Sequence, residues 1–275
     1  MPAADHGAPE AGVPAAKREP FGPDPVQSEL TMNVLKLLFC RETLAPLAAL
    51  GLASAVSVGI ILLRVLFTKN LYYSFLIWNL FLAWLPLVFA LLARDSFQRT
   101  AAPTKLGGKF WVFSGLWLLF LPNAYYIFTD LIHLTNRYHF NFWVDLTVIL
   151  SCALTGLVLG FVSLFLMQSL VTQRRGQIAG WGFVAAIAGL SSFGIYLGRF
   201  LRLNSWDVVT KPGKLYEGIS SFAMGQGHPH HFAFLALFAV FLFVGYVMLY
   251  ALTHLPAGMQ LAATPAASAS APARA

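Results

Sequence analysis

Six long apolar runs constrain the fold of this 275-residue chain more than any other feature. A helix that crosses a bilayer needs about 20 mainly apolar residues, and six stretches meet that requirement: residues 44–67, 71–93, 109–134, 142–170, 177–200 and 230–254. Only 11% of the residues are charged, whereas soluble domains carry about 25%. We therefore predict an all-α integral membrane protein, a bundle of about six transmembrane helices.

The two terminal segments differ in composition from the six runs. Residues 1–43 begin rich in Ala, Pro and Gly, and residues 255–275 are similarly low in complexity. We expect a disordered tail at each end, on either side of a transmembrane domain at residues 44–254. Residues 30–41 carry a leucine-rich stripe at helical spacing, and the sequence leaves open an interfacial helix or an extension of the first span.

The net charge of +7 does not indicate a nucleic-acid partner, because the basic residues lie in short segments between the apolar runs. Lys and Arg collect on the cytoplasmic side of membrane proteins, and eleven fall on the side of the termini against seven on the other. This distribution predicts a multi-pass protein of the cytoplasmic (inner) membrane with both termini cytoplasmic. The bilayer is the expected partner, and the oligomeric state stays open.

The third run ends in LPNAYYIFTDLIHL, where polar residues enter an apolar segment. At about 100° per residue, Asn123, Tyr126, Asp130 and His133 share one side of the helix with Arg137. Pro122 removes one backbone hydrogen bond, so we predict a kink there, with Asn123 or water satisfying the freed carbonyl. Ionisable residues on a spanning helix usually face the bundle interior or a wet cavity, which favours a site over a solvated surface pair.

The fifth run ends in SSFGIYLGRFLRLNSWD, which offers hydroxyl and guanidinium groups. Arginine suits bidentate contact with carboxylate or phosphate, so Arg199 and Arg202 are candidates for holding an anionic substrate, and an internal aspartate is the alternative partner. The other substrate-binding candidates are Asn123, Tyr126, Tyr196, Asn204 and Trp206.

Four mid-chain acids and five of the seven histidines fall on the predicted outer side. Asp130, His133, Asp145 and Asp207 are the catalytic candidates, although Asp145 also suits the positive end of the helix that it opens. A divalent metal is a further expectation, because Asp and His side chains are common ligands and GQGHPHHF clusters three histidines. The candidate ligands are Asp130, His133, Asp207, His228, His230 and His231.

LPNAYYIFTDLIHL, FWVDL and GIYLGRFLRLNSWDV resemble the signature segments of the bacterial membrane family catalogued as domain of unknown function 1361. The resemblance covers roughly residues 45–255, and Tyr125 stands where a second proline is expected. It implies a multi-spanning bacterial membrane protein and supplies no activity, substrate or catalytic residue.

Three functions compete on this basis. The first is an enzyme whose polar site faces the outer side and acts on a lipid head group or a lipid-linked anionic substrate. The second is a transporter or channel, which usually binds its substrate near the bilayer midplane on broken helices. The third is a non-catalytic assembly partner, in which the polar stripe ties helices together.

Overall fold

The computed structural model describes residues 41–99, 106–134, 142–224 and 229–263. Within these ranges the secondary structure is helical, with no strand. The elements in chain order are α1 (Arg41–Thr68), α2 (Phe75–Gln98), α3 (Gly108–Tyr126), a 3-10 helix (Ile127–Leu134), α4 (Phe142–Arg175), α5 (Gln177–Phe200), α6 (Asp207–Thr210), α7 (Pro212–Ala223) and α8 (Pro229–Ala263).

The predicted membrane fold is confirmed. Six helical segments in the described ranges are long and apolar enough to cross a membrane: Ala45–Thr68, Phe75–Gln98, Gly108–Leu134, Phe142–Arg175, Gln177–Phe200 and His230–His254. The predicted disordered N-terminal tail and the segment at 30–41 lie outside the described residues, apart from the first residues of α1. At the other end α8 continues to Ala263, beyond the predicted limit of the transmembrane domain.

Helix α4 lies at the centre of the bundle. It is the most buried of the six spans, while α1 and α8 are the least buried. Helix α2 packs on α3 and α4, whereas α5 packs on α8, α4 and α3. Helices α2 and α5 therefore flank α3 from two sides, and they are not among the closely packed pairs.

Two pairs of glycines hold the last turns of α3 in place. On α4, a Cβ atom at Gly156 would lie 2.6 Å from the carbonyl oxygen of Ala124, and Gly160 lies against the ring of Tyr125. On α5, a Cβ atom at Gly194 would lie 2.5 Å from Cγ of Pro122, and Gly198 lies against the ring of Tyr126. Small residues four apart let helices approach closely in a membrane, so α4 and α5 both contact the end of α3 at short range.

The α-helix continues through Pro122 to Tyr126 and then changes to the 3-10 helix. The predicted bend of the helix axis at Pro122 stays a prediction. Side chains supply donors to the carbonyls around this proline: Nδ2 of Asn123 donates to the Phe120 oxygen at 3.1 Å, and Oγ of Ser205 donates to the Leu119 oxygen at 2.9 Å. The carbonyl that Pro122 frees belongs to Leu118, four residues earlier, and Asn123 binds the nearby carbonyl of Phe120 instead.

Candidate functional site

A cavity of about 810 Å³ lies at the end of the bundle where α1, α3 and α5 finish. We call this end of the bundle the site end. Helices α2 and α3 each present four residues at the spacing i, i+3, i+4 and i+7, which places them on one helical face. These residues are Phe75, Trp78, Asn79 and Leu82 on α2, and Leu119, Pro122, Asn123 and Tyr126 on α3.

The remaining walls come from the 3-10 helix, from α5 and from the segment that follows α5. Asp130 and His133 line the cavity from the 3-10 helix. The last turns of α5 contribute Gly194, Leu197, Gly198 and Arg199, and the following segment contributes Arg202, Leu203, Asn204, Ser205, Val208 and Leu215. The structure therefore brings together seven of the predicted site residues: Asn123, Tyr126, Asp130, His133, Arg199, Arg202 and Asn204.

Asp130 lines the cavity from the 3-10 helix and is only 1% exposed. Its Oδ2 atom accepts a hydrogen bond from Nδ2 of Asn79 at 3.0 Å, and its Oδ1 atom accepts one from Nη1 of Arg199 at 3.3 Å. Nε2 of His133 lies 3.7 Å from the same Oδ1 atom. A buried carboxylate needs such partners to offset the loss of hydration.

Arg199 is held by three groups of the polar stripe that ends the third span. Besides Asp130, Nη1 donates to the Tyr126 hydroxyl at 3.2 Å, and Nη2 donates to the carbonyl oxygen of Thr129 at 3.1 Å. The charge of Arg199 is thus paired with Asp130 inside the protein. For Arg199 the partner is therefore an internal aspartate, which was the alternative to an anionic substrate.

His133 lies between Asp130 and an aromatic cluster. Its Nδ1 atom is 3.4 Å from the Tyr72 hydroxyl, and the Phe75 ring packs edge-on at 5.5 Å. Both ring nitrogens therefore have polar neighbours at opposite edges. Such a position fixes the orientation of the imidazole and suits proton exchange with a ligand in the cavity.

Arg202 is the second arginine of the cavity, and its environment differs from that of Arg199. It is solvent-exposed and adopts a left-handed backbone conformation with φ of 55°. None of the ion pairs or hydrogen bonds among the described residues involves its guanidinium group. With Arg199 paired to Asp130, Arg202 is a positive charge without an acidic partner among the described residues of the cavity.

Asp207 organises the segment after α5 and does not line the cavity. Its Oδ2 atom accepts from the backbone N–H of Asn204 at 2.8 Å, and its Oδ1 atom accepts from Thr210 at 2.9 Å and pairs with Lys211 at 3.2 Å. The Asn204 bond is the largest cause that lowers the pKa of Asp207 to about 2. This carboxylate therefore stabilises the turn that presents Arg202 and Asn204.

Asp145 also lies outside the cavity lining. Its Oδ1 atom accepts from Nε of Arg64 at 2.6 Å, and its Oδ2 atom accepts from the Tyr73 hydroxyl at 3.3 Å. The Arg64 guanidinium stacks over the Tyr73 ring at 4.4 Å. This cluster ties α1, α2 and α4 together at the site end.

The other candidates occupy different surroundings. Tyr196 is buried against α7 and α8, with its hydroxyl 3.5 Å from Nδ1 of His231, and Trp206 is 40% exposed beside the cavity. His230 is exposed at the start of α8, and His228 lies outside the described residues. Of the candidate metal ligands, Asp130 and His133 lie next to each other in the cavity. Among the described residues, no group of three or more His, Cys, Asp or Glu side chains could hold a metal ion.

Three polar residues of the cavity were missed by the sequence analysis. Asn79 donates to Asp130, Tyr72 contacts His133, and Ser205 accepts from Nδ2 of Asn123 at 2.7 Å. Asn79 could have been predicted as a cavity residue, because it is a lone amide within the apolar run FLIWNLFLAW. Polar residues in spanning helices usually face the protein interior. Ser205 and Tyr72 stand in connecting segments, where their types are common.

Residues 78–245 match the family model described as protein of unknown function (DUF1361). The matched range contains α3, the 3-10 helix, α4 and α5, and with them the Asp130, Arg199 and Arg202 positions. Neither a curated protein nor a solved structure matches the chain.

Proposed function

The chain belongs to the DUF1361 family, whose description assigns no activity, and we propose that its cavity binds the anionic head group of a lipid or a lipid-linked molecule. Phosphate and carboxylate share the charge and the paired oxygens that a guanidinium recognises. In this proposal Arg202 binds the anion directly and Asn204 supplies an amide donor at the cavity wall, while Asn123, whose Nδ2 donates to Phe120 and Ser205, holds that wall in place.

The proposal is supported by the positions of the two arginines that line the cavity. Arg199 is engaged by Asp130, Tyr126 and Thr129, whereas Arg202 lines the cavity without an ion-pair partner in the described part of the chain. Asp130 is the acid among the described residues that line the cavity, and it is paired with Arg199, so the charge of Arg202 favours an anionic ligand.

We further propose that the protein acts on the bound head group as an enzyme, with His133 and Asp130 as its acid–base pair. His133 lines the cavity, and Asp130, 3.7 Å from its Nε2 atom, orients the ring for proton exchange with a ligand. Asn79 and Arg199 would then be positioning residues, because both hold the Asp130 carboxylate.

The proposed sidedness places the site end on the outer face of the cytoplasmic membrane. Of the seven basic residues assigned to that side, Arg64 and Arg199 are engaged inside the bundle by Asp145 and Asp130. A basic residue that is held in an ion pair inside the bundle is a weaker indicator of which side of the membrane it lies on. When Arg64 and Arg199 are left out of the count for that side, the excess of Lys and Arg on the side of the termini is larger.

Binding of a labelled anionic amphiphile tests the proposal. The protein is reconstituted in phosphatidylcholine nanodiscs, and the dissociation constant for ³²P-labelled hexadecyl phosphate is measured for wild type, for Arg202→Gln and for Lys214→Gln. Lys214 is the matched control because it is an exposed cation of the same segment that does not line the cavity.

We expect Arg202→Gln to weaken binding by about tenfold or more, which is the usual range for a hydrogen bond to a charged group. Lys214→Gln should retain the wild-type constant. Equal effects of the two substitutions would mean that only the general surface charge matters, and the proposed site would be wrong.

A further inference from the structure

The cavity continues as a cleft between two spanning helices. It is lined by α2 and α5 on two sides and by α3 at the back, and none of the described residues of α1, α4 or α8 lines it. Because α2 and α5 do not pack closely on each other, no spanning helix among the described residues closes the remaining side. Trp78 lines the cavity and is still 55% exposed, as expected at the open edge of such a cleft.

The cleft reaches well into the apolar part of the bundle. Leu82 lies seven residues inside the start of α2, Leu119 lies seven residues before the end of α3, and Gly194 lies six before the end of α5. At 1.5 Å per residue, these positions are about 10 Å from the helix ends. A ligand that fills the cavity therefore extends to the depth of lipid chains.

A partial roof lies over the aqueous end of the cleft, where Arg202 and Asn204 stay exposed. Val208 and Leu215 line the cavity from α6 and α7, and α7 is attached to the bundle by Phe222, whose ring packs on Phe193 and Tyr196 at 5.3 and 5.4 Å. This segment is bracketed by the ends of two spans at Phe200 and His230, so it lies at the membrane interface. Apolar side chains above the cavity disfavour entry of a small, fully hydrated anion from water.

The two ends of the cleft differ in chemistry. The end near the roof carries Arg202, Asn204 and His133, whereas the deep end carries Leu82, Leu119 and Gly194. A polar head above an apolar groove matches an amphiphile, and a groove that opens sideways to lipid matches a molecule that already resides in the bilayer.

From this geometry we infer that the ligand is a membrane-resident amphiphile that enters sideways between α2 and α5 and lays its hydrocarbon chain along the cleft over α3. The inference rests on the proposed function, and it adds the substrate class and the route of entry. Arg202 holds the phosphate or carboxylate, and Leu82, Leu119 and Leu197 contact the chain.

Photolabelling tests this inference. Hexadecyl phosphate with a diazirine midway along its chain is added to the protein in phosphatidylcholine nanodiscs, irradiated, and mapped by peptide mass spectrometry. We expect the label on peptides that contain residues 75–82, 116–123 and 190–199. Unlabelled hexadecyl phosphate should displace it, while butyl phosphate, which has the same head group but stays in water, should not.

Leu197→Trp narrows the cleft from the α5 side, and labelling of the three peptides should be lost. Leu237→Trp is the matched control, because Leu237 is 72% exposed on α8 and does not line the cavity, so it should label as wild type does. Circular dichroism checks that both variants fold, and the wild-type labelling map tests the inference without either variant.

Two outcomes separate the inference from the proposed function. If binding depends on Arg202 but the label spreads evenly over the lipid-facing helices α1 and α8, or if butyl phosphate competes equally well, the inference is overturned and the anion site stands. If neither Arg202 dependence nor cleft labelling is observed, both proposals fail.

Discussion

Breaking the ion pair between Arg64 and Asp145 should destabilise the bundle without altering the ligand site. The guanidinium and carboxylate side chains are only 3% and 9% exposed, and Nε lies 2.6 Å from Oδ1. Asp145→Asn keeps the shape of the side chain but leaves the arginine charge uncompensated in the protein interior. Removing one partner of a buried pair costs about 3–5 kcal/mol.

The structure places this case at the lower end of that range. After the substitution Arg64 keeps a hydrogen bond from Nη1 to the carbonyl oxygen of Asn70 at 3.3 Å and its position over the Tyr73 ring. We therefore expect a loss of about 3 kcal/mol in the free energy of unfolding, or about 150-fold in the ratio of folded to unfolded protein.

A double-mutant cycle supplies the assay. Unfolding in mixed micelles with increasing dodecyl sulfate is measured for wild type, Asp145→Asn, Arg64→Met and the double variant. Because the double variant removes both charges, it should lose much less than the sum of the single variants. Hexadecyl phosphate binding should stay at the wild-type level in every folded variant.

Two results would refute this reasoning. Additive losses with no coupling would mean that the two side chains do not depend on each other. A specific loss of ligand binding in a fully stable Asp145→Asn protein would return Asp145 to the ligand site.

Three further predictions concern the cavity and its roof. Gly194→Ala should lower the free energy of unfolding by about 1–3 kcal/mol, because the new Cβ atom would lie 2.5 Å from Cγ of Pro122. Gly189→Ala on the same helix is the control. Its Cβ atom would meet nothing within 4 Å, so this variant should be neutral or stabilising in the same unfolding assay. Asp207, with its pKa lowered to about 2 from 3.8, stabilises the turn after α5 fully above about pH 4 and loses that effect as the pH falls towards 2. Hydrogen exchange of residues 203–211, corrected for intrinsic rates, should accelerate over that range in wild type and be fast already at neutral pH in Asp207→Asn. Asp130→Asn removes the negative charge beside the paired arginine, so hexadecyl phosphate should bind more tightly; weaker binding would show that the carboxylate positions the ligand.

The spans could be predicted from the sequence because lipid imposes a length and a composition on each of them. Helical spacing also predicted part of the site. It placed four residues at the end of the third run on one side of the helix, and all four line one cavity: Asn123, Tyr126, Asp130 and His133. The change to a 3-10 helix at Ile127 did not separate them.

The pairing of charges could not be predicted from the sequence. Arg64 was interpreted as a topology signal and Asp145 as a catalytic candidate, yet they form one ion pair across 81 residues of chain. The residues around Arg64 and Asp145 in the sequence do not indicate that the two pair, because the pairing depends on the packing of α1 against α4. Asp207 likewise has the residue type of a catalytic group, but its partners are within four residues of it.

An anionic head group that contacts Arg202 in the cavity brings its phosphorus close to the guanidinium nitrogens, and a nuclear dipolar coupling detects that contact. Protein labelled with ¹⁵N-arginine is loaded with hexadecyl phosphate in phosphatidylcholine bilayers, and rotational-echo double-resonance NMR detects guanidinium nitrogens close to the phosphorus of the alkyl phosphate. We predict dephasing at the alkyl phosphate signal that is retained in Lys214→Gln and falls sharply in Arg202→Gln. Dephasing that survives Arg202→Gln unchanged, or none in wild type, would mean that the head group does not contact Arg202.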